Sequence, residues 1–192
     1  MLSLQITLCV ILLVPYLNDG NWWILKSSDG SFQTTHFGQN NDKPMPSDYD
    51  GDGKTDHAIY RPNTSGGVWY ILNSYDGSVK IKAFGLSTDK PFVGDFNGDG
   101  RKDIGIWRPG TGEWWICLTS TSQNPETTIV YQWGTNGDTP VQGDYDQDGK
   151  TDYAVWRPNN GTWYIMKSTD GSSTAIQFGT NGDIPVSSSI LQ

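Results

Sequence analysis

Residues 48–56 read DYDGDGKTD, and the pattern returns as DFNGDGRKD at 95–103 and DYDQDGKTD at 144–152. Four aspartates in nine residues crowd like charge that a folded chain tolerates only with compensation. Its threefold return also marks a repeat, and a repeat decides the fold before any single element does. Other features keep the same step. An aromatic pair followed by Ile recurs as Trp22-Trp23-Ile24, Trp69-Tyr70-Ile71, Trp114-Trp115-Ile116 and Trp163-Tyr164-Ile165. An aromatic-Gly pair follows each, at Phe37-Gly38, Phe84-Gly85, Trp133-Gly134 and Phe178-Gly179, and Arg-Pro recurs at 61–62, 108–109 and 157–158. The unit is therefore 45 to 49 residues long.

Inside a unit, short runs rich in Val, Ile, Thr, Trp and Tyr alternate with Gly, Asn, Asp and Pro, which reads as strands joined by tight turns. In the third unit the pattern predicts strands over 140–144, 153–157, 162–167 and 174–178. Four strands in a repeat of this length is the arithmetic of a propeller blade. So small a sheet cannot bury both faces alone and must stack on its neighbours. The expectation is an all-β chain, a β-propeller-type array of about four antiparallel four-stranded blades in one domain, residues 1–192. It divides into a partial first blade (1–47), blades at 48–94, 95–143 and 144–183, and a candidate closing strand at 184–192. The repeated Trp and Tyr residues are expected to pack between blades, with ligand stacking as the alternative.

Position fixes the meaning of the aspartates. Side-chain oxygens at loop positions 1, 3 and 5 are Asp48, Asp50 and Asp52, then Asp95, Asn97 and Asp99, then Asp144, Asp146 and Asp148. They are hard ligands, as in the first half of an EF-hand loop; Gly at position 6 permits the sharp turn, and the carbonyls of Lys54, Arg101 and Lys150 at position 7 add an oxygen. An EF-hand would carry Glu at position 12, but that place is Ile59, Ile106 and Val155; position 9 holds Asp56, Asp103 and Asp152 instead. The reading is a β-hairpin calcium loop in about three copies, against the alternative of solvated Asp-Gly turns. Asn97 drops one charge, so the second loop should bind calcium more weakly. Magnesium fits less well because it demands near-octahedral geometry and keeps its waters.

The loops hold eleven of the 21 acidic residues and account for much of the net charge of -8. That charge argues against a nucleic-acid surface, which needs clustered Lys and Arg. Cys9 and Cys117 have neither CxxC spacing nor nearby His, so they read as apolar fillers and not as a zinc site or disulfide framework. No nucleophile elbow, HExxH or phosphate-binding glycine loop is present, and the chain reads as non-catalytic. His36 and His57 sit at unrelated repeat positions, and His57 is expected at the surface where a strand starts.

These loops, each preceding a strand, together with Phe-Gly ending a unit, resemble the FG-GAP or VCBS-type repeats of integrin α-subunit propellers. The resemblance covers residues 22–186; the "GAP" half is not matched literally, and one aromatic-Gly is Trp133-Gly134. It implies that the loop joins the first two strands of a blade, that calcium stiffens the blade, and that the module serves extracellular recognition or adhesion. Candidate ligand contacts, for a glycan or a protein, are Tyr60, Trp107 and Trp156 with Arg61, Arg108 and Arg157, since aromatic faces stack on sugars and Arg supplies fixed donors. Their alternative role is packing. The other function class is a scaffold or self-assembling repeat in which calcium is only a brace.

The ends leave two readings open. Pro15 lies seven residues before Trp22, as Pro62 does before Trp69, so ILLVP (11–15) aligns as a strand, while Ser189 falls where Asp144 would predict a ligand. Either the termini pair to close a four-bladed ring, or the array is part of a larger propeller or completed by homo-oligomerisation. The apolar N-terminal run also resembles a signal-peptide core, lacks a basic flank, and is too short for a membrane span. Sequons at Asn63-Thr64-Ser65 and Asn160-Gly161-Thr162 fall in turns. Extracellular calcium would fill such loops more readily than cytosolic calcium.

Overall fold

In the computed structural model, which describes residues 19–26, 28–119 and 126–186, every regular element is a β-strand. An N-terminal pair, β1 (Asn21–Leu25) and β2 (Phe32–His36), precedes three four-stranded sheets. Sheet I contains β3 (Lys43–Pro44), β4 (His57–Asn63), β5 (Gly66–Leu72) and β6 (Val79–Ala83). Sheet II contains β7 (Lys90–Gly94), β8 (Asp103–Arg108), β9 (Glu113–Leu118) and β10 (Thr127–Gln132). Sheet III contains β11 (Thr139–Pro140), β12 (Tyr153–Arg157), β13 (Thr162–Met166) and β14 (Ser173–Gln177). Each sheet is an antiparallel meander in chain order, and each Asp-rich loop joins its first two strands.

Local chemistry sets the turns. Where the third strand meets the fourth, Asp-Gly-Ser recurs at 29–31, 76–78 and 170–172, and the Asp carboxylate accepts the Ser backbone N–H at 2.8 to 2.9 Å. The glycine takes φ of 69 to 71°, which a side chain would resist. The aromatic-Gly motif does a different job: its aromatic carbonyl accepts an indole N–H from the first residue of the aromatic pair. The bonds are Trp22 to Phe37 (2.6 Å), Trp114 to Trp133 (2.7 Å) and Trp163 to Phe178 (2.9 Å). The Trp69 indole breaks the pattern, buried without a partner.

Packing follows the expected division of labour. Tyr60, Trp69 and Ile71 of sheet I enclose Ile104, Ile106 and Cys117 of sheet II, and Phe92, Trp107 and Trp114 of sheet II enclose Val155 of sheet III. Truncating one such Trp to Ala costs about 3 to 5 kcal/mol. Sizes trade across the first ladder: Phe92 pairs with Gly105, where a Cβ would lie 2.1 Å from its ring, while sheet III sets the smaller Val141 against Ala154. The N-terminal pair meets sheet I through Trp22, edge-on to His57 with ring centroids 5.1 Å apart. His57 does start a strand, but it is half-buried, not at the surface, because it stands where Ile104 and Tyr153 pack in the other sheets.

The first strand of sheet III is shorter than expected as a continuous ladder. Its pairing goes on through the Val141 N–H bond to Ala154 O (2.8 Å) and an isolated bridge between Gly143 and Asp152. The last strand begins at Ser173, one residue early. The ILLVP strand and Ser189 lie outside the described residues, as does Cys9, and residues 184–186 carry no strand.

Candidate metal centres

The aspartate at position 9 of each loop is the most enclosed. Asp56, Asp103 and Asp152 are almost fully buried, and each carboxylate ties two segments together through backbone N–H groups. One oxygen accepts the N–H of the loop's second residue, Tyr49, Phe96 or Tyr145, at 2.8 to 2.9 Å. The other accepts the N–H of a hydroxyl residue after the third strand, Ser74, Thr119 or Ser168, at 2.7 Å. Through these bonds the carboxylate closes the hairpin. Burial pushes the Asp103 carboxyl upward, and the N–H bonds oppose that rise.

In the first and third loops, positions 1, 3 and 9 converge. Asp48, Asp50 and Asp56 each bring one carboxylate oxygen within 4.8 Å of the others, as do Asp144, Asp146 and Asp152. Each triad also contains an orphan: Asp50 Oδ2 and Asp146 Oδ1 are buried with no hydrogen-bond partner. Burial raises the Asp50 carboxyl, and the neighbouring Asp56, Asp52 and Asp48 add to the rise. A hard divalent ion would supply the missing partner and remove that penalty.

Position 5 lies outside both triads. Asp52 and Asp148 accept the N–H of Lys54 and Lys150 at 2.8 Å, which holds both carboxyls below their ordinary range, and each also accepts a hydroxyl from Ser74 or Ser168. The second loop forms no three-carboxylate cluster among the described residues. Its Asn97 amide donates to Asp99 Oδ2 at 3.1 Å, while Asp95 accepts the N–H groups of Gly98, Asp99 and Gly100. Arg101 at position 7 contributes its N–H to Asp99 at 2.9 Å, as the lysines do in the other loops.

The loops touch in sequence. Lys102 N–H donates to Asp48 O at 2.9 Å and Thr151 N–H to Asp95 O at 2.6 Å. The Arg101 side chain lies over Gly51, where a Cβ would meet it at 3.1 Å, and Lys150 lies over Gly98 at 2.9 Å. A cleft of about 240 Å³ opens between the loops.

The candidate ligand contacts occupy a different end of the strands. Tyr60, Trp107 and Trp156 are at most 3% exposed, inside the sheet packing. Arg61, Arg108 and Arg157 form bidentate pairs with the buried Asp42, Asp89 and Asp138, at 2.7 to 3.2 Å. Each guanidinium also lies 4.3 to 4.9 Å from the ring of Tyr70, Trp115 or Tyr164. Sequence reasoning missed these acids, although a constant separation of 19 residues between Asp and Arg, held while unit length varies, was the signal.

Antiparallel four-stranded sheets repeated along the chain, each opened by an Asp-rich hairpin loop, define an all-β repeat protein. Residues 48–106, from the first Asp loop into β8, match the family model of the FG-GAP-like repeat. No curated protein and no solved structure matches the chain.

Proposed function

We propose that the chain is a non-catalytic, calcium-binding module of β-propeller type, serving recognition or adhesion outside the cell, with the ions stiffening the loops that open each blade. The observation that carries the reading is the pair of orphaned oxygens, Asp50 Oδ2 and Asp146 Oδ1, each buried within a carboxylate triad. A buried carboxylate oxygen without a partner is costly unless a cation or donor is present. All-oxygen donors favour calcium over softer metals. The FG-GAP-like repeat supports the module class. Recognition surfaces on this reading lie away from Tyr60, Trp107 and Trp156, whose rings are spent on packing.

The test is a thermal melt with calcium, with EGTA, and after restoring calcium or adding magnesium. A reversible rise in Tm with calcium is expected, larger than that with magnesium. An unchanged melt together with no calcium in elemental analysis would reduce the loops to acidic turns.

A further inference from the structure

We propose that Thr169, in the turn between β13 and β14, is a positioning residue for the third cation site; this rests on the cation reading above. In the first loop, Asp50 is anchored by its own loop, through the Asp52 N–H to Asp50 Oδ1 at 3.1 Å. The third loop lacks that anchor, because the Asp148 N–H donates to Asp144 Oδ1 at 3.1 Å instead. Asp146 is held from outside. The Thr169 hydroxyl donates to Asp146 Oδ2 at 2.6 Å and also lies 3.1 Å from Asp148 Oδ2. With Oδ2 fixed in this way, Oδ1 is the buried oxygen left without a partner.

Sheet I lacks this contact among the described residues. The residue at the same repeat position in sheet I is Tyr75, which is 77% exposed. The hydroxyls of Ser168 and Thr169 together hold Asp148 and Asp146, whereas in sheet I the described hydroxyl contact from this turn to the loop is that of Ser74 with Asp52. The third site is therefore set by a residue 23 positions downstream of the ligand it orients. Thr169 is itself exposed, so little of the fold depends on it.

The test uses the full chain carrying Asp50→Ala, which removes a ligand of the first site and leaves the third as the one described three-carboxylate cluster, read by calorimetric titration with calcium chloride. In that background Thr169→Val should weaken calcium binding roughly 3- to 10-fold, the cost of leaving one carboxylate side chain free to rotate. Thr169→Ser should restore it, and Tm in EGTA should match the parent for both variants. Unchanged affinity in Thr169→Val would overturn the inference and leave the cation reading standing. A lower Tm in EGTA with no rescue by Ser would also overturn it, by making the hydroxyl a turn element only. Absence of calcium uptake by the unaltered chain would sink the cation reading itself.

Discussion

Replacing Asp103 by Asn separates what the ninth loop residue does for the fold from what it does for a metal. Asp103 is fully buried and accepts the N–H of Phe96 (2.9 Å), the N–H of Thr119 (2.7 Å) and the Thr119 hydroxyl (3.0 Å). The amide keeps one acceptor and turns an N–H₂ against the other donor. One charge-assisted bond is lost, about 1.5 to 3 kcal/mol, and a buried donor is left unmet, about 1 to 3 kcal/mol. The neutral side chain recovers part of this, because burial disfavours the Asp103 charge. The net expectation is a loss of about 2 to 4 kcal/mol, which for a chain of this size lowers Tm by roughly 5 to 15 °C. Melts and urea titrations run in EGTA remove any metal contribution. Asp99→Asn, at an exposed position of the same loop, serves as control and should change stability by no more than about 0.5 kcal/mol. Equal effects from the two substitutions, or no effect from Asp103→Asn, would refute the bracing role.

Three further outcomes follow from the packing and the pairs. Trp114→Phe should destabilise the chain by about 1 to 2 kcal/mol more than Trp69→Phe in urea titrations, because only the Trp114 indole donates, to Trp133 O, while the Trp69 N–H is already unmet. Gln147, at φ 62° where the first two loops have glycine, should gain about 0.5 to 1 kcal/mol on Gln147→Gly, read as a higher Tm in EGTA. Glu126 pairs with Lys80 (2.6 Å) and Lys82 (2.5 Å) across sheets I and II, and these contacts lower its pKa from 4.5. A carboxyl depressed in the fold adds stability above its unfolded pKa that is lost as pH falls through the folded one. Unfolding titrations should therefore show Glu126→Gln costing up to about 1 kcal/mol at pH 7 and less as the pH drops below 4.5.

Repetition made most of the architecture legible. Strand periodicity placed Tyr153–Arg157 without error, and the aromatic-Ile motif marked the residues that fill the spaces between sheets. The grouping of the carboxylates at loop positions 1 and 3 was legible because the two are neighbours in sequence. The direction of Asp52 and Asp148 was less so, since hydroxyls contributed 20 or more residues later join the local Lys54 and Lys150 N–H groups in holding them. The Asp42–Arg61 pair and its counterparts escaped notice because each Asp sits in an inconspicuous Asp-Lys-Pro or Asp-Thr-Pro turn and meets its Arg only after the first two strands pair. His57 was misplaced for a related reason: its burial comes from the N-terminal pair, whose Trp22 lies 35 residues away in sequence.

The contact of each loop with the next gives the units a fixed syntax. Arg101 and Lys150 rest on the bare backbone of Gly51 and Gly98, the fourth residues of the loops before them. Gln147, the fourth residue of the third loop, is exposed and carries a side chain where such a stem would lie. A copy of the first or second unit placed behind the third would bring its Lys54 or Arg101 stem against the Gln147 side chain, whereas the two described stems meet glycine. Glycine at the fourth loop position thus gives the stem of the next unit room to lie flat, and Gln147→Gly would extend that room to the third loop.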